Sequence, residues 1–331
     1  MTEASQIAII GSGSWATALA KIVTDAGNRI CWYIRNPENR KVMKSFNRNP
    51  KYLGSVRFDP EKISYCESLD DAVEQCEVLI FAVPTAFLAE WLSPLTRSLQ
   101  GKYIVSAIKG IIPGEDGTVA EYFNRKFKLP FDQIGVISGP CHAEEVALER
   151  LSYLTIATKH FEDGRTLAGF LQCRYLRTIL SEDIYGIEYA GVLKNIYAIA
   201  GGIFYGLGYG DNFQSVLLAN AFIEMKRFIN NSYPKERDLA QSAFLGDLLV
   251  TGYSQFSRNR TFGTMIGKGY SVRSALLEIS QIAEGYYAVS GMKKINLAHG
   301  IDMPIMDAVY NMLYNGVSPV TEAKNLIDKL K

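Results

Sequence analysis

The 331-residue sequence predicts an α/β chain: a doubly wound, mostly parallel sheet followed by an all-α C-terminal domain. Three observations predict it. Through the first half, short runs rich in Val and Ile alternate with amphipathic stretches, the pattern of strand–helix–strand units whose sheet is covered on both faces. A glycine-rich segment, Gly11-Ser12-Gly13-Ser14-Trp15-Ala16, sits between the first apolar run and the first amphipathic one. From about Ser181 the isolated β-branched runs give way to long stretches with helical periodicity.

Taken in order, Gln6–Ile10 reads as a strand, Ser14–Asp25 as a helix closed by Gly27, and Arg29–Ile34 as a second strand. Val78–Val83, Tyr103–Ile108, Ile134–Ile137, Tyr153–Ala157 and Tyr175–Leu180 follow as further strands. The helical half carries Asp211–Phe228, Glu236–Leu249, Ser271–Glu278 and Ile305–Tyr314. The boundary falls between residues 181 and 188, which gives a first domain over 1–184 and an all-helical second domain over 185–331. Two domains of roughly 100–200 residues each are what this length predicts. Without a repeat or a low-complexity linker, the interface between them is the default position for a substrate cleft.

Composition narrows the class of molecule. A 48% hydrophobic chain with 35 basic and 34 acidic residues is neither a nucleic-acid binder nor a disordered chain, so an anionic ligand has to be held by local charge. Five cysteines, Cys31, Cys66, Cys76, Cys141 and Cys173, are odd in number and scattered without a CxxC pair. They predict no disulfide framework, no structural zinc and a reducing compartment. His142, His160 and His299 lack paired ligand spacing, so no metal site is expected. The N-terminal MTEASQIAIIGSG enters a strand directly, with an acidic residue and no long apolar core, which predicts no signal peptide and a cytoplasmic location. Ala190–Tyr209 is apolar and close to the roughly 20 residues that span a bilayer. Lys194, Asn195 and the glycines Gly201, Gly202, Gly206 and Gly208 inside it favour a buried helix of a globular core instead.

The glycine segment matches GxGxxG/A in the strand–turn–helix context that the motif requires, which makes the first domain Rossmann-type. Gly11 permits the tight turn, Gly13 lets backbone approach a pyrophosphate, and Ala16 lets the helix lie against the strand. The first-turn N–H groups then face the phosphates of NAD or NADP. A ligand-free glycine turn is the alternative. The second strand ends in Ile34-Arg35-Asn36, with no acid there to hold a ribose 2′-hydroxyl. A cation at this tip suits the 2′-phosphate of NADP; its alternative is a solvated surface arginine.

Lys194 is singled out by its surroundings. In Ala190-Gly191-Val192-Leu193-Lys194-Asn195-Ile196-Tyr197-Ala198-Ile199-Ala200 it is the one ionisable group apart from tyrosine. Burial favours the neutral amine and lowers its pKa, which equips it to exchange a proton near neutral pH, as carbonyl reduction requires. The bland reading is a lysine reaching from the helix edge to solvent. Lys109 ends a strand at the edge where open α/β sheets bind ligands. Ser257-Arg258-Asn259-Arg260 offers a guanidinium fork beside two hydrogen-bonding side chains, chemistry that fits a phosphate. Either cluster could equally be a solvated turn. Asp247, an acid in Leu245-Gly246-Asp247-Leu248-Leu249, suits orienting Lys194 or binding a hydroxyl, with a helix cap as its structural alternative.

From Gly11 to about Gly285 the chain resembles the bacterial-type NAD(P)-dependent sn-glycerol-3-phosphate dehydrogenases. The matching elements are Gly-Ser-Gly-Ser-Trp at 11–15, Asn-Pro-Lys-Tyr-Leu at 49–53, Ala-Val-Pro at 82–84, Ile-Lys-Gly at 108–110 and Ser-Gly-Pro at 138–140. They continue with Leu-Lys-Asn at 193–195, Gly-Leu-Gly-Tyr-Gly-Asp-Asn at 206–212, Ser-Arg-Asn at 257–259 and Ala-Glu-Gly at 283–285. So many ordered matches are far more specific than one glycine motif. The resemblance implies reversible reduction of dihydroxyacetone phosphate to sn-glycerol 3-phosphate, which supplies glycerophospholipid synthesis, and it suggests a homodimer. It implies Lys194 as the proton-transfer residue, and Lys109, Gly139, Cys141, Asp247, Ser257, Arg258 and Asn259 as substrate contacts. It further implies Ser14, Trp15, Arg35, Tyr52, Lys109, Ala143, Arg258, Ile282 and Glu284 as contacts to the nicotinamide nucleotide.

Three departures from the family pattern stand out. Ser138-Gly139-Pro140-Cys141-His142-Ala143 has a thiol where relatives carry a serine hydroxyl, which predicts a weaker substrate contact. Ala219-Asn220-Ala221 lacks an arginine that relatives carry near this point, and Gly54 replaces a proline, which predicts a looser loop. The nearest alternative is a β-hydroxyacid or 6-phosphogluconate type dehydrogenase, which also places a lysine–asparagine pair on a long helix. Ser257-Arg258-Asn259 and the glycine run at 201–210 favour the phosphotriose reading. A redox-sensing nucleotide-binding protein without turnover is the alternative of a different class, and it would have no use for both Lys109 and Lys194.

Overall fold

The computed structural model describes residues 7–279 and 282–331. Gln6, the predicted start of the first strand, and the stretch before it lie outside the described residues. The chain forms two compact units. The first takes the chain through Ile108 and again Val119–Ile184; the second takes Lys109–Thr118 and Tyr185–Lys331.

In the first unit the strands are β1 (Ile7–Ile10), β2 (Ile30–Tyr33), β3 (Ile63–Cys66), β4 (Val78–Phe81), β5 (Tyr103–Ser106), β6 (Ile134–Ser138), β7 (Ser152–Ala157) and β8 (Leu176–Ser181). The helices between them are α1 (Ser14–Asp25), α2 (Pro37–Phe46), α3 (Leu69–Gln75), α4 (Leu88–Leu92), α5 (Val119–Phe127), α6 (Ala143–Ala147) and α7 (Phe161–Leu171). The eight strands form one sheet in the order β3-β2-β1-β4-β5-β6-β7-β8, parallel except where β7 meets β6. Order reverses at β1, whose neighbours are β2 and β4, and the loop that leaves β1 there carries the glycine motif. Such a reversal is where open α/β sheets bind ligands. β1, β2 and β4 are buried along their whole length, which is why they read as continuous apolar runs rather than alternating ones.

Two features of this unit differ from the sequence reading. β3, Ile-Ser-Tyr-Cys, is a half-exposed edge strand with too little apolar signal to stand out. Cys31 and Cys66 are bridged, with Cα atoms 6.1 Å apart, which corrects the expectation of a chain without disulfides. They lie 35 residues apart in sequence, and only the parallel pairing of β2 with β3 makes them neighbours. Cys76, Cys141 and Cys173 are free.

The second unit is helical: α8 (Ile184–Gly206), α9 (Asp211–Ser232), α10 (Asp247–Tyr253), α11 (Arg258–Gly267), α12 (Val272–Glu278), α13 (Glu284–His299), α14 (Pro304–Tyr314) and α15 (Pro319–Ile327). Among the described residues no helix is long and apolar enough to cross a membrane. The predicted helix Glu236–Leu249 is not formed as such. Ser242–Gly246 makes a π-helical turn that runs into α10, while most of the preceding stretch is irregular. Helical periodicity cannot register a change of backbone winding, and π turns are frequent at functional sites.

The glycines of α8 have a packing role. A Cβ on Gly202 or Gly206 would run into the backbone of Arg260 or Thr264, and one on Gly263 or Gly267 into that of Ile199 or Ile203. Paired glycines four residues apart on each helix therefore let α8 and α11 cross at backbone contact. Elsewhere Glu224 of α9, a buried carboxyl, accepts the N–H groups of Ile305 (2.7 Å) and Met306 (3.0 Å) in the first turn of α14. Burial pushes this carboxyl up to about 8 even against those two hydrogen bonds, so it is largely protonated at neutral pH.

Candidate active site

In the first unit the site begins with the turn after β1. Gly11 has φ +136°, and a Cβ there would collide with the carbonyl of Ala82, so only glycine fits. The turn is pinned from three sides. The Trp32 indole donates to Gly11 O (2.7 Å), and the Asn49 amide donates to Ser12 O (3.0 Å) and Thr17 Oγ1 (2.8 Å). Gly13 is the residue before α1, no side chain caps the helix there, and the space beside its Cα is open. Trp15 Nε1 is buried with no protein hydrogen-bond partner. An uncapped helix start, an open glycine and an orphaned indole N–H together fit a dinucleotide pyrophosphate. Ser14 is buried in the first turn of α1.

The same Asn49 carboxamide oxygen accepts the N–H groups of Lys51 and Tyr52, both at 3.2 Å, so one side chain ties the 49–53 segment to the glycine turn. Arg48 also donates to Gly54 O at 3.4 Å, and Val56 N–H to Leu53 O at 2.9 Å. The loop with the glycine departure is thus hydrogen-bonded on both sides of it. Arg35, two residues beyond β2, lies with its guanidinium 5.2 Å from the Trp91 ring centroid and Nη1 3.0 Å from Glu90 Oε1. At the end of β6, Gly139 takes φ +128°, the half-buried Cys141 follows, and Ala143 is the buried first residue of α6.

In the second unit Lys194 lies near the middle of α8 with 7% of its surface exposed. Its amine donates to the Asp247 carboxylate and to Thr251 Oγ1 (2.9 Å). Lys109, predicted at a strand end, lies beyond β5 in the segment that belongs to this second unit, and its amine is 3.1 Å from the other Asp247 oxygen. One buried carboxylate thus holds two amines, and the cluster carries an excess positive charge for an anionic substrate whenever Lys194 is protonated. Burial brings Lys194 down to about 7; Asp247 opposes that fall and the like charge of Lys109 adds to it. Burial alone would raise Asp247, but the charges of Lys109 and Lys194 more than offset it and keep the carboxyl below its ordinary range. The result is an amine that gains and loses a proton near neutral pH beside a carboxylate that stays ionised.

The neighbouring chain is fixed around this cluster. Asn195 donates to Lys109 O (3.0 Å), and the carboxamide oxygen of Asn259 accepts the N–H of Gly285 (2.9 Å). A Cβ on Gly285 would lie 2.5 Å from Asn195 O, so this glycine brings the start of α13 against α8. Ser257 caps α11, accepting the N–H of Arg260 at 3.3 Å, and Arg258 is the first residue of that helix. Glu284 opens α13, and Ile282 precedes it half-buried. Asn220 holds the backbone N–H and C=O of Lys331, both at 2.9 Å, so this departure has a structural job of its own.

Sequence reasoning missed Thr251, Asn49 and the anchoring role of Asn195. Thr251 had a signal: it follows Asp247 by four residues and so shares its helix face. Asn49 stood out only as part of the 49–53 motif, because the atoms of the glycine turn and α1 that it holds, Ser12 O and Thr17 Oγ1, lie more than thirty residues away. Among the described residues no group of His, Cys, Asp and Glu could hold a metal ion.

A turn shaped for a dinucleotide and an amine poised to exchange a proton belong to the nicotinamide-dependent dehydrogenases. Residues 6–163 match the N-terminal family model of NAD-dependent glycerol-3-phosphate dehydrogenase, and residues 183–324 match the C-terminal one. The chain belongs to this family. The glycerol-3-phosphate dehydrogenase of Thermobifida fusca, an NAD(P)+ enzyme, is 33% identical over 318 residues, covering 95% of this chain and 94% of that one. That of Ectopseudomonas mendocina is 34% identical over 316 residues, covering 96% and 92%. The crystal structure of glycerol-3-phosphate dehydrogenase from Coxiella burnetii superposes with a TM-score of 0.90 at 28% identity, over 98% of this chain and 99% of that one. A D-mandelate dehydrogenase, with a TM-score of 0.61 and 15% identity over 97% and 98%, shares the fold alone.

Proposed function

We propose that the chain catalyses the reversible reduction of dihydroxyacetone phosphate to sn-glycerol 3-phosphate with NADPH or NADH. The observation that carries this reading is the buried Lys109–Asp247–Lys194 cluster in a member of this dehydrogenase family. Gly11, Gly13, Ser14 and Trp15 hold the pyrophosphate, with Arg35, Tyr52, Ala143, Ile282 and Glu284 as further contacts to the nucleotide. When bound, the reduced nicotinamide supplies the hydride.

Lys194, as an ammonium, hydrogen-bonds the ketone oxygen and gives it a proton as negative charge develops there. In the oxidative direction the neutral amine takes that proton back from the alcohol. Lys109 polarises the same carbonyl and also contacts the nucleotide. Asp247 keeps both amines in place, and Thr251 fixes the direction of the Lys194 amine. Arg258 and the start of α11, together with Ser257 and Asn259, take the substrate phosphate, and Gly139 and Cys141 complete the substrate contacts. We place the enzyme in the cytoplasm, feeding glycerophospholipid synthesis, and read it as a homodimer.

The test follows absorbance of NADPH and NADH with dihydroxyacetone phosphate, and of NADP+ and NAD+ with 3-hydroxyisobutyrate and 6-phosphogluconate. Oxidation of the reduced cofactors by the phosphotriose is the expected result. Turnover only with the acids would assign the chain to the β-hydroxyacid or 6-phosphogluconate type, and no turnover at all would favour a sensor. Lys194→Ala is expected to lower kcat by about 10²–10⁴-fold, the usual worth of a positioned acid, while nucleotide affinity stays within about twofold. Asp247 keeps Lys109 as its partner in that variant, so the fold is expected to survive. Equal loss of turnover and of nucleotide binding would make Lys194 a structural residue.

A further inference from the structure

We propose that Glu90 sets the balance between NADH and NADPH by competing for the Arg35 guanidinium. The inference rests on the reading that Arg35 receives the adenosine ribose of the cofactor.

The second strand of a dinucleotide-binding unit commonly ends in an acid that accepts a hydrogen bond from the ribose 2′-hydroxyl of NAD. Here that place belongs to Ile34-Arg35-Asn36, and the acid arrives from another element. Glu90 lies on α4, the helix after β4, and β4 flanks β1 on the side opposite β2. Its Oε1 is 3.0 Å from Arg35 Nη1. The guanidinium also rests 5.2 Å over the Trp91 ring, and buried Trp91 is set edge-on by Tyr33 of β2 at 5.8 Å. Arg35 is therefore held between an aromatic ring and a carboxylate.

Both partners remain open to solvent, with side chains 40% and 61% exposed, so a nucleotide can reach them without unfolding anything. The two cofactors then use the pair differently. The 2′-hydroxyl of NADH donates to the Glu90 carboxylate, which leaves the ion pair intact. The 2′-phosphate of NADPH accepts from the guanidinium, and its negative charge meets the carboxylate already there. One cation then serves two anions at hydrogen-bonding range, and NADPH loses part of what Arg35 would otherwise give it. Glu90 keeps the enzyme open to both cofactors instead of committing it to NADPH.

The test measures dissociation constants of NADPH and NADH by titration calorimetry on the full chain, at one fixed ionic strength, for the wild type, Glu90→Gln, Arg35→Gln and the double variant. Glu90→Gln is expected to tighten NADPH by about three- to fivefold, the scale of an exposed ion pair. NADH should be unchanged or weaker in the same variant. Arg35→Gln is expected to weaken NADPH far more than NADH, and in the double variant the gain from Glu90→Gln should vanish, because the guanidinium it released is gone. If Arg35→Gln weakens NADPH but Glu90→Gln leaves the NADPH-to-NADH ratio where it was, the competition is overturned and the Arg35 assignment stands. If Arg35→Gln changes neither affinity, or the wild type binds neither nucleotide, the underlying reading of the site falls with it.

Discussion

A lysine in a dry environment normally sheds its proton, and a lysine beside a carboxylate normally keeps it; Lys194 experiences both at once. Burial and the nearby charge of Lys109 win over Asp247 by enough to bring the amine to about 7, which makes both of its protonation states accessible at working pH. In the proposed mechanism the two directions use opposite protonation states of this amine, and that sets the sign of the pH dependence. Reduction consumes the ammonium, so kcat/KM for dihydroxyacetone phosphate should fall as pH rises through about 7. Oxidation of glycerol 3-phosphate uses the free amine and should rise through the same range. Asp247→Asn removes the charge that raises Lys194, so both profiles should move to lower pH. Profiles measured in each direction for wild type and Asp247→Asn check this; an unmoved inflection would assign it to another group.

Among the elements, the pairing of α8 with α11 decides whether that chemistry is assembled. α8 carries Lys194 and Asn195, and α11 begins with Arg258 and Asn259. Four glycines allow the two helices to cross at backbone distance. Glycine costs a helix about 1 kcal/mol per residue relative to alanine, and close backbone packing offsets that cost here. Gly263→Ala forces the helices apart, because the added methyl falls on the Ile199 carbonyl and nothing flexible stands in the way to yield. A loss of about 3 kcal/mol or more is expected, at the upper end of overpacking penalties, and calorimetric melting would register it as a lowered Tm. Gly13→Ala has open space at its Cβ and should leave the Tm close to wild type. In sequence Gly202 and Gly206 read as arguments against a lone membrane helix and as part of the 201–210 glycine run, and Gly263 and Gly267 carried no reading; the spacing of four is visible, but the partner helix is not.

At the scale of the molecule, one chain segment complicates a simple division into halves. Lys109–Thr118 leaves the sheet-bearing unit, joins the helical one, and returns at Val119. Local patterning has no means of recording such an excursion, because it reports what a segment forms and not where that segment packs. The helical unit also exposes a groove lined by Leu218, Phe222, Ile223, Leu249 and Tyr253 from α9 and α10. Ile223, Leu249 and Tyr253 are each more than 40% exposed, an apolar surface of the kind that covers itself by pairing. If the chain is a dimer through this face, light scattering should give twice the monomer mass, and Ile223→Glu should return a monomer with an unchanged circular-dichroism spectrum. A dimer unaffected by Ile223→Glu would place the interface elsewhere.

The sequence by itself determined the fold class and the glycine turn and favoured the burial of Lys194, because each is written in local pattern. Apolar periodicity specifies strands and helices, a tight turn specifies its glycines, and a lone lysine in an apolar helix favours burial over reaching out to solvent. It could not determine which charges meet. Lys194 and Asp247 are 53 residues apart, Lys109 and Asp247 are 138 apart, and Arg35 finds Glu90 on an element with no sequence link to β2. The disulfide, a strand-to-strand neighbour relation, was hidden for the same reason. Electrostatic interactions depend on separation through space, so the amine's proton affinity and the pairing of Arg35 with Glu90 were decided only when the chain folded.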